Sequence, residues 1–319
     1  MLTSGGDAPG MNAAIRAVTR AALANKIEVY GINYGFHGMI ESDFVKLYYE
    51  DIGGIIGLGG TILKTARCKE FATYEGREKA YKNLQERHIE GVVVIGGDGS
   101  FKGAACFTSE FDIPFIGIPG TIDNDINGTD YTIGFDTALN TVVRAVDKIK
   151  DTARSHGRIF FIESMGREAG LLALGSGLAC GAEVILIPEV MEQEEELDRF
   201  IQKGIIDKKT SGIIMVAEGY KTGGAMKIAE RVKEKHPDIE ARVSILGHIQ
   251  RGGSPTAQDR IAATRMGVAA VDSLLAGKKN LMIGLKNHAI VEVPFGLTEK
   301  AYRPINSEFV RIQKVITRI

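Results

Sequence analysis

The sequence predicts an α/β protein made of two doubly wound lobes, with mostly parallel strands buried between helices. Three observations carry this. Short apolar runs recur along the chain, apolar on both faces, as parallel strands sandwiched by helices require. Amphipathic stretches of helical length separate them. Glycine, at 39 residues, gathers just after the apolar runs, where sheets of this kind bind ligands.

Taken in order, the strand-like runs are Glu28–Ile32, Gly91–Ile95, Phe115–Ile118, Arg158–Ile162, Val184–Ile187, Gly212–Ala217 and Arg242–Leu246. The helical stretches are Met11–Ala24, Glu75–Arg87, Ala138–Thr152, Glu195–Ile206, Ala225–Lys235 and Gln258–Ala276. Repeated βα units of this kind imply parallel sheet, and there are too many for one compact sheet. No low-complexity linker or repeat marks a boundary. Loops near Gly134 and Gly252 divide the chain into 1–134 with 252–300, and 135–251 with 301–319.

Composition narrows the function. The chain has 319 residues, 44% hydrophobic and 25% charged, as in an ordinary globular protein. Lys plus Arg number 39 against 40 for Asp plus Glu, so no nucleic acid or anionic membrane is expected as a partner. An anionic ligand would need a local basic pocket. Runs such as Val92–Ile95 are far too short to span a bilayer, and no signal peptide is expected. Cys68, Cys106 and Cys180 are odd in number and widely spaced, which fits a reducing cytoplasm rather than a disulfide framework or a zinc knuckle.

The loops after the strands carry the chemistry. Ser4-Gly5-Gly6-Asp7-Ala8-Pro9-Gly10 precedes the first long helix, and Gly96-Gly97-Asp98-Gly99-Ser100 opens another. Successive glycines let backbone N–H groups converge on an anion, and the helix N-terminus adds its dipole. A lone glycine pair would be an ordinary tight turn; a GGDGS directly after a buried strand points to phosphate. Asp98 is then placed to hold a magnesium ion. Neither segment has the GxxxxGK pattern of a Walker loop. In Pro119-Gly120-Thr121-Ile122-Asp123-Asn124-Asp125, two acids at alternate positions beside a hydroxyl fit a loop that accepts a proton from an attacking hydroxyl, although alone it would read as a solvated turn. Met165-Gly166-Arg167 and the segment from Gly247 to Pro255 follow two further strands, which Arg158 and Arg242 open. Arginines repeated beside glycine turns suit a sugar phosphate better than a neutral sugar.

In this order and spacing, LTSGGDAPGMNAAIR (Leu2–Arg16), VIGGDGS (Val94–Ser100), PGTIDND (Pro119–Asp125), MGR (Met165–Arg167) and LGHIQRGGSPT (Leu246–Thr256) resemble the bacterial ATP-dependent 6-phosphofructokinases. The resemblance runs from Leu2 to about Gly284. It implies two Rossmann-like lobes with the active site in the cleft between them, the first lobe binding ATP and the second fructose 6-phosphate. Gly6, Arg67, Cys68, Gly97, Asp98, Gly99, Ser100 and Gly103 would line the ATP site, with Asp98 serving Mg2+. Asp123 would take the proton of the sugar's 1-hydroxyl, and Arg67 would stabilise the transferred phosphoryl group. Thr121, Met165, Gly166, Arg167, Glu218, His248 and Arg251 would hold fructose 6-phosphate, while Arg158 and Arg242 would reach the sugar phosphate of a neighbouring subunit. A cytoplasmic homotetramer, a dimer of dimers, follows from the same resemblance.

Three rivals are weighed; one, an NAD kinase or lipid kinase, shares the GGDG loop but not TIDND followed by MGR and QRGGSP. Pyrophosphate-dependent relatives typically carry Asp where this chain has Gly99 and Lys where it has Gly120, so two glycines favour ATP. A non-catalytic sensor would be expected to lack Asp123, Asp98 or Arg67. The family also binds ADP or phosphoenolpyruvate at a second site, which Arg16, Arg20, Lys150, Glu183 and Lys209 match in part. Gly54, Lys150 and Asp207 depart from that pattern, so a weakened effector response is expected, with Lys208 placed to compensate in part.

Overall fold

The structure is a computed structural model that describes residues 1–190, 193–206, 211–299 and 307–316. In chain order its elements are β1 (Leu2–Ser4), α1 (Met11–Ala24), β2 (Val29–Ile32), α2 (Phe36–Ile40), β3 (Phe44–Leu47), α3 (Tyr74–Glu86), β4 (Val92–Gly96), α4 (Asp98–Glu110), β5 (Phe115–Pro119), α5 (Phe135–His156), β6 (Ile159–Ser164), α6 (Leu171–Cys180), β7 (Val184–Leu186), α7 (Gln193–Ile206), β8 (Gly212–Ala217), α8 (Ala225–Lys235), β9 (Ala241–Ile245), α9 (Ala257–Leu275), β10 (Leu281–Lys286), β11 (Ala289–Pro294) and α10 (Ser307–Ile316). They fall into two compact units, Met1–Thr137 with Arg251–Arg303, and Ala138–Gln250 with Pro304–Ile319.

The first unit holds a seven-stranded sheet in the order β11-β10-β5-β4-β1-β2-β3. Its central strands are parallel and fully buried, with residue patterns such as Val92-Val93-Val94-Ile95 apolar on both faces. Phe101, Phe107 and Phe115 fill the layer between sheet and helices without solvent exposure, each contributing about 2–3 kcal/mol of apolar burial. The two rims depart from the parallel pattern. β3 runs antiparallel to β2, and β11 runs antiparallel to β10. Neither β3 nor β11 stands out as a uniform apolar run, because edge strands are covered on one side only; β10, interior and largely buried, is a short apolar run that the sequence reading does not name. The β10–β11 link is a two-residue turn, Asn287-His288, both residues at positive φ, which matches the right-handed strand twist.

The second unit holds a parallel four-stranded sheet in the order β7-β8-β6-β9. The sequence reading treats Arg242–Leu246 as apolar on both faces. The structure instead makes β9 an edge strand with Arg242 and Ile245 exposed. At the opposite edge β7 is buried, and the Gln313 side chain of α10 donates to the Ile185 carbonyl at 3.2 Å. No helix among the described residues is long and apolar enough to cross a membrane.

The closest helix pairing in the first unit joins α1 to α9. A Cβ built on Gly267 would lie 2.6 Å from the Ala17 Cβ and 3.2 Å from the Ala14 carbonyl oxygen. Only a bare backbone fits there. Gly267→Val is therefore expected to destabilise the protein by about 2 kcal/mol through overpacking, read as a lower denaturant midpoint with an unchanged m-value.

Candidate active site

Three loops of the first unit lie side by side because the strands beneath them end in register. Ser4 pairs with Gly96, and Gly96 with Pro119, so the loops after β1, β4 and β5 start from one line. Glycine is required at that line: a Cβ on Gly96 would stand 2.5 Å from the Ser100 hydroxyl and 2.6 Å from the Ser4 carbonyl oxygen.

The first loop turns through Gly5 and Gly10, both at positive φ, into α1. Thr65 donates its hydroxyl to the Gly5 carbonyl at 2.8 Å, and Thr3 donates to Lys64 at 2.7 Å, so the segment carrying Arg67 and Cys68 is fastened beside this loop. Arg67 is exposed and Cys68 half-buried. The Arg251 guanidinium lies over Gly6, where a Cβ would meet its Nη1 at 2.6 Å, and donates to the Asp7 carbonyl at 3.0 Å.

The second loop runs through Gly97 into the first turn of α4, where Asp98 sits. One carboxylate oxygen of Asp98 is 3.2 Å from the Lys102 ammonium. The other, Oδ1, is buried with no hydrogen-bond partner. An orphaned carboxylate oxygen at a helix N-terminus needs a cation or donor from a ligand, and this makes Asp98 fit for a hard divalent ion beside phosphates. Ser100 is buried and Gly103 packs on the stacked rings of Phe36 and Phe71, whose centroids are 4.0 Å apart. A Cβ on Gly99 would point into open space, so a side chain there would enter the site. Gly120 differs: its Cβ would meet the Ile95 and Met11 side chains at 3.2 Å each, so a side chain there would crowd the packing beneath the loop.

The third loop carries Thr121 and Asp123. Asp123 is 4% exposed, and its N–H donates to the Thr121 hydroxyl at 3.2 Å. Asn124 follows in the left-handed region at φ 51°.

The second unit builds its own cluster at the C-terminal ends of β6, β8 and β9. Ser164 pairs with Ala217, which brings Glu218 next to Met165, Gly166 and Arg167. Gly166 and Arg167 both have positive φ, and Glu218 Oε1 accepts from their N–H groups at 3.1 and 2.6 Å. Gln250, fully buried, accepts from the Met165 N–H at 3.1 Å. His248 is exposed in the helical turn that follows β9.

Arg158 and Arg242 are not brought to this cluster. They stand at the other end of the same sheet, about 20 Å away along β6. Both are tied to Glu240, Arg158 at 2.8 Å and Arg242 through a short ion pair, and the Arg158 hydrogen bond holds the Glu240 carboxyl below its ordinary range. The sequence gives no signal for Glu240, which lies in a surface turn.

The residues named for a second site fall in both units, and each is described by its local surroundings. Arg16 is half-buried and Arg20 exposed on α1. The Lys150 ammonium is bound to the Cys180 carbonyl at the end of α6, and Glu183 accepts from the Ile213 N–H at 2.6 Å. Gly54 has φ 76°, where an acidic side chain would be strained. Asp207, Lys208 and Lys209 lie outside the described residues.

Comparison with known proteins shows the family. The family model for phosphofructokinase matches residues 1–274. The chain is 54% identical over 317 residues to ATP-dependent 6-phosphofructokinase 2 of Bacteroides thetaiotaomicron, covering 99% of this chain and 97% of that one. It is 52% identical over 316 residues to ATP-dependent 6-phosphofructokinase 1 of Thermus thermophilus, covering 99% and 98%. Among solved structures, the phosphofructokinase of Saccharomyces cerevisiae superposes with a TM-score of 0.85 at 35% identity, over 98% of this chain and 45% of that chain. The chain belongs to the phosphofructokinase family.

Two left-handed residues held by one carboxylate make Glu218 the pin of the Met165–Arg167 loop. Glu218→Ala should speed amide exchange at Gly166 and Arg167 by about tenfold, the cost of the lost hydrogen bonds, with the β6 core amides unaffected.

Proposed function

We propose that the chain is an ATP-dependent 6-phosphofructokinase that moves the γ-phosphoryl group of ATP to the 1-hydroxyl of fructose 6-phosphate, giving fructose 1,6-bisphosphate and ADP. The observation that carries the reading is the line of three loops at Ser4, Gly96 and Pro119, which puts a glycine-rich anion cradle directly beside a buried Asp-bearing loop. Phosphoryl transfer asks for positioning, charge neutralisation and one proton acceptor, and little else.

Unit 1 handles the nucleotide. The N–H groups of the Gly5–Gly6 and Gly97–Ser100 turns receive the phosphates, and the open face at Gly99 leaves room for the α-phosphate. Asp98 holds Mg2+, which neutralises phosphate charge when bound. Asp123 accepts the proton of the attacking hydroxyl, with Thr121 orienting the loop. Arg67 and Arg167 offset charge on the phosphoryl group. Unit 2 captures the sugar phosphate through Met165, Gly166, Arg167, Glu218 and His248, joined by Arg251. Arg158 and Arg242, held together by Glu240 far from that cluster, serve a neighbouring subunit in a homotetramer. The reading places the enzyme in the cytoplasm, which the free thiols of Cys68, Cys106 and Cys180 support.

An assay coupled to ADP release tests this. Turnover is expected with fructose 6-phosphate and MgATP, and negligible turnover with pyrophosphate as donor. Asp123→Ala should lower kcat by at least ~10²-fold while sugar-phosphate binding changes much less. Near-normal turnover of that variant would remove Asp123 from the role of base.

Regulation through a second anion site is weak in this reading. The ammonium of Lys150 and the carboxylate of Glu183 already serve backbone partners, so an effector must displace those bonds before it gains any. Fructose 6-phosphate saturation should be close to hyperbolic and shift little with millimolar phosphoenolpyruvate or ADP. A strong sigmoid shift by phosphoenolpyruvate, reversed by ADP, would contradict this.

A further inference from the structure

Asp259, in the first turn of α9, is fully buried yet has no part in the chemistry above. Its Oδ1 accepts from the Tyr131 hydroxyl at 2.7 Å and the Gly134 N–H at 2.6 Å. Its Oδ2 accepts from the Thr137 N–H at 2.8 Å and, through a short bond, from the Thr137 hydroxyl. The preceding residue cluster tightens the same joint. Thr256 caps α9, its N–H donates to the Thr137 hydroxyl at 3.0 Å, and its own hydroxyl donates to Asp136 at 2.6 Å.

The segment so gripped is the support of the loop that carries Asp123. Ile133 donates to the Pro119 carbonyl at 2.9 Å and accepts from the Thr121 N–H at 3.0 Å. The Thr132 hydroxyl lies 2.8 Å from the Thr121 carbonyl oxygen and 3.1 Å from Asn124 Oδ1. Loop 119–125 is thus laid along residues 130–134, and those residues are pinned to α9 by one carboxylate. A few residues upstream on the same stretch of chain, Arg251 lies over Gly6 and donates to Asp7. A single run from Arg251 to Asp259 therefore touches the anion cradle at one end and fixes the base of the proton-accepting loop at the other.

We propose that Asp259 is a positioning residue for phosphoryl transfer, setting through Tyr131, Gly134 and Thr137 where the Thr121–Asp125 loop holds the Asp123 carboxylate. The proposal rests on the reading of Asp123 as proton acceptor. Chemistry singles out a carboxylate here. Each oxygen faces a main-chain N–H that cannot turn away, Gly134 on one side and Thr137 on the other. An asparagine has one acceptor end, so either flip sets its NH2 against a donor. Burial raises the Asp259 carboxyl above its ordinary range, opposed by the hydrogen bonds from Thr137, Tyr131 and Gly134.

The test is a double-mutant cycle on the full-length enzyme, with folding checked by thermal denaturation. Asp259→Asn is expected to lower kcat by about 10²-fold, the scale of a misplaced reacting group, with Michaelis constants for both substrates changed less than about threefold. Asp123→Asn alone is expected to lose a similar factor. If Asp259 acts through Asp123, the double variant falls no more than about threefold below Asp123→Asn alone. Losses that multiply, or a rise in Michaelis constants at steady kcat, would overturn the proposal while leaving the reading of Asp123 intact. Full turnover by Asp123→Asn would instead overturn that reading and this proposal with it. Should Asp259→Asn not fold, Tyr131→Phe removes one donor and keeps the ring; it is expected to lower kcat about fivefold, the value of one hydrogen bond, and to lose that effect on the Asp123→Asn background.

Discussion

The close approach of three backbones at Gly96 is the constraint on which the first unit depends. Ser4, Gly96 and Pro119 end their strands on one line, and no side chain fits between Ser4 and the first turn of α4. Any residue larger than glycine would collide with the Ser4 carbonyl and with Ser100, so the strand end or the first turn of α4 would have to shift. Asp98, Ser100 and Gly103 would move with it, and so would Phe107 of the same helix, which stacks on Phe71 and through it on Phe36. The site geometry is therefore a property of strand packing first and of loop chemistry second.

A second regularity runs through both units: acidic side chains accept from main-chain N–H groups in loops and at the ends of helices and strands. Asp259 holds Gly134 and Thr137, Glu218 holds Gly166 and Arg167, Glu163 holds Ala225, Glu183 holds Ile213 and Glu189 holds Gly170. Ion pairs, by contrast, mostly sit in solvent, where each is worth little; the fork between Arg77 and Glu110 is the more buried exception. A carboxylate accepting main-chain N–H groups fixes a loop without asking a second long side chain to be ordered.

Much of this was legible in the sequence because burial on both faces leaves a plain mark. The interior strands β4, β5 and β8 appear as unbroken apolar runs, and α1 and α8 as amphipathic stretches with the bounds read from periodicity. The rims were not legible. β3 and β11 alternate between half-buried and exposed residues, and β9 keeps Arg242 in solvent. The glycine loops and the Thr121–Asp125 loop show themselves by spacing, since their residues are local neighbours. Asp259 does not: its partners lie 122 to 128 residues away, and an acid in the first turn of a helix reads as an ordinary surface residue. Glu240 escapes for the same reason, its tie to Arg158 spanning 82 residues.

The first unit is assembled from two distant stretches of chain, and this bears on its birth at the ribosome. β5 pairs with β10, which begins at Leu281, long after β5 ends at Pro119. At ~5–20 residues per second, synthesis leaves roughly 10–30 s in which β5 is complete and its partner does not yet exist. During that interval a strand destined for full burial presents an unpaired, wholly apolar edge, the kind that nascent neighbours can add to. α9 is missing over much of the same period, so α1 keeps its alanine face uncovered as well. The second unit is encoded in the gap and needs none of these late elements for its sheet. The four strands of the second unit can thus pair before the sheet of the first, whose rim waits for β10 and β11.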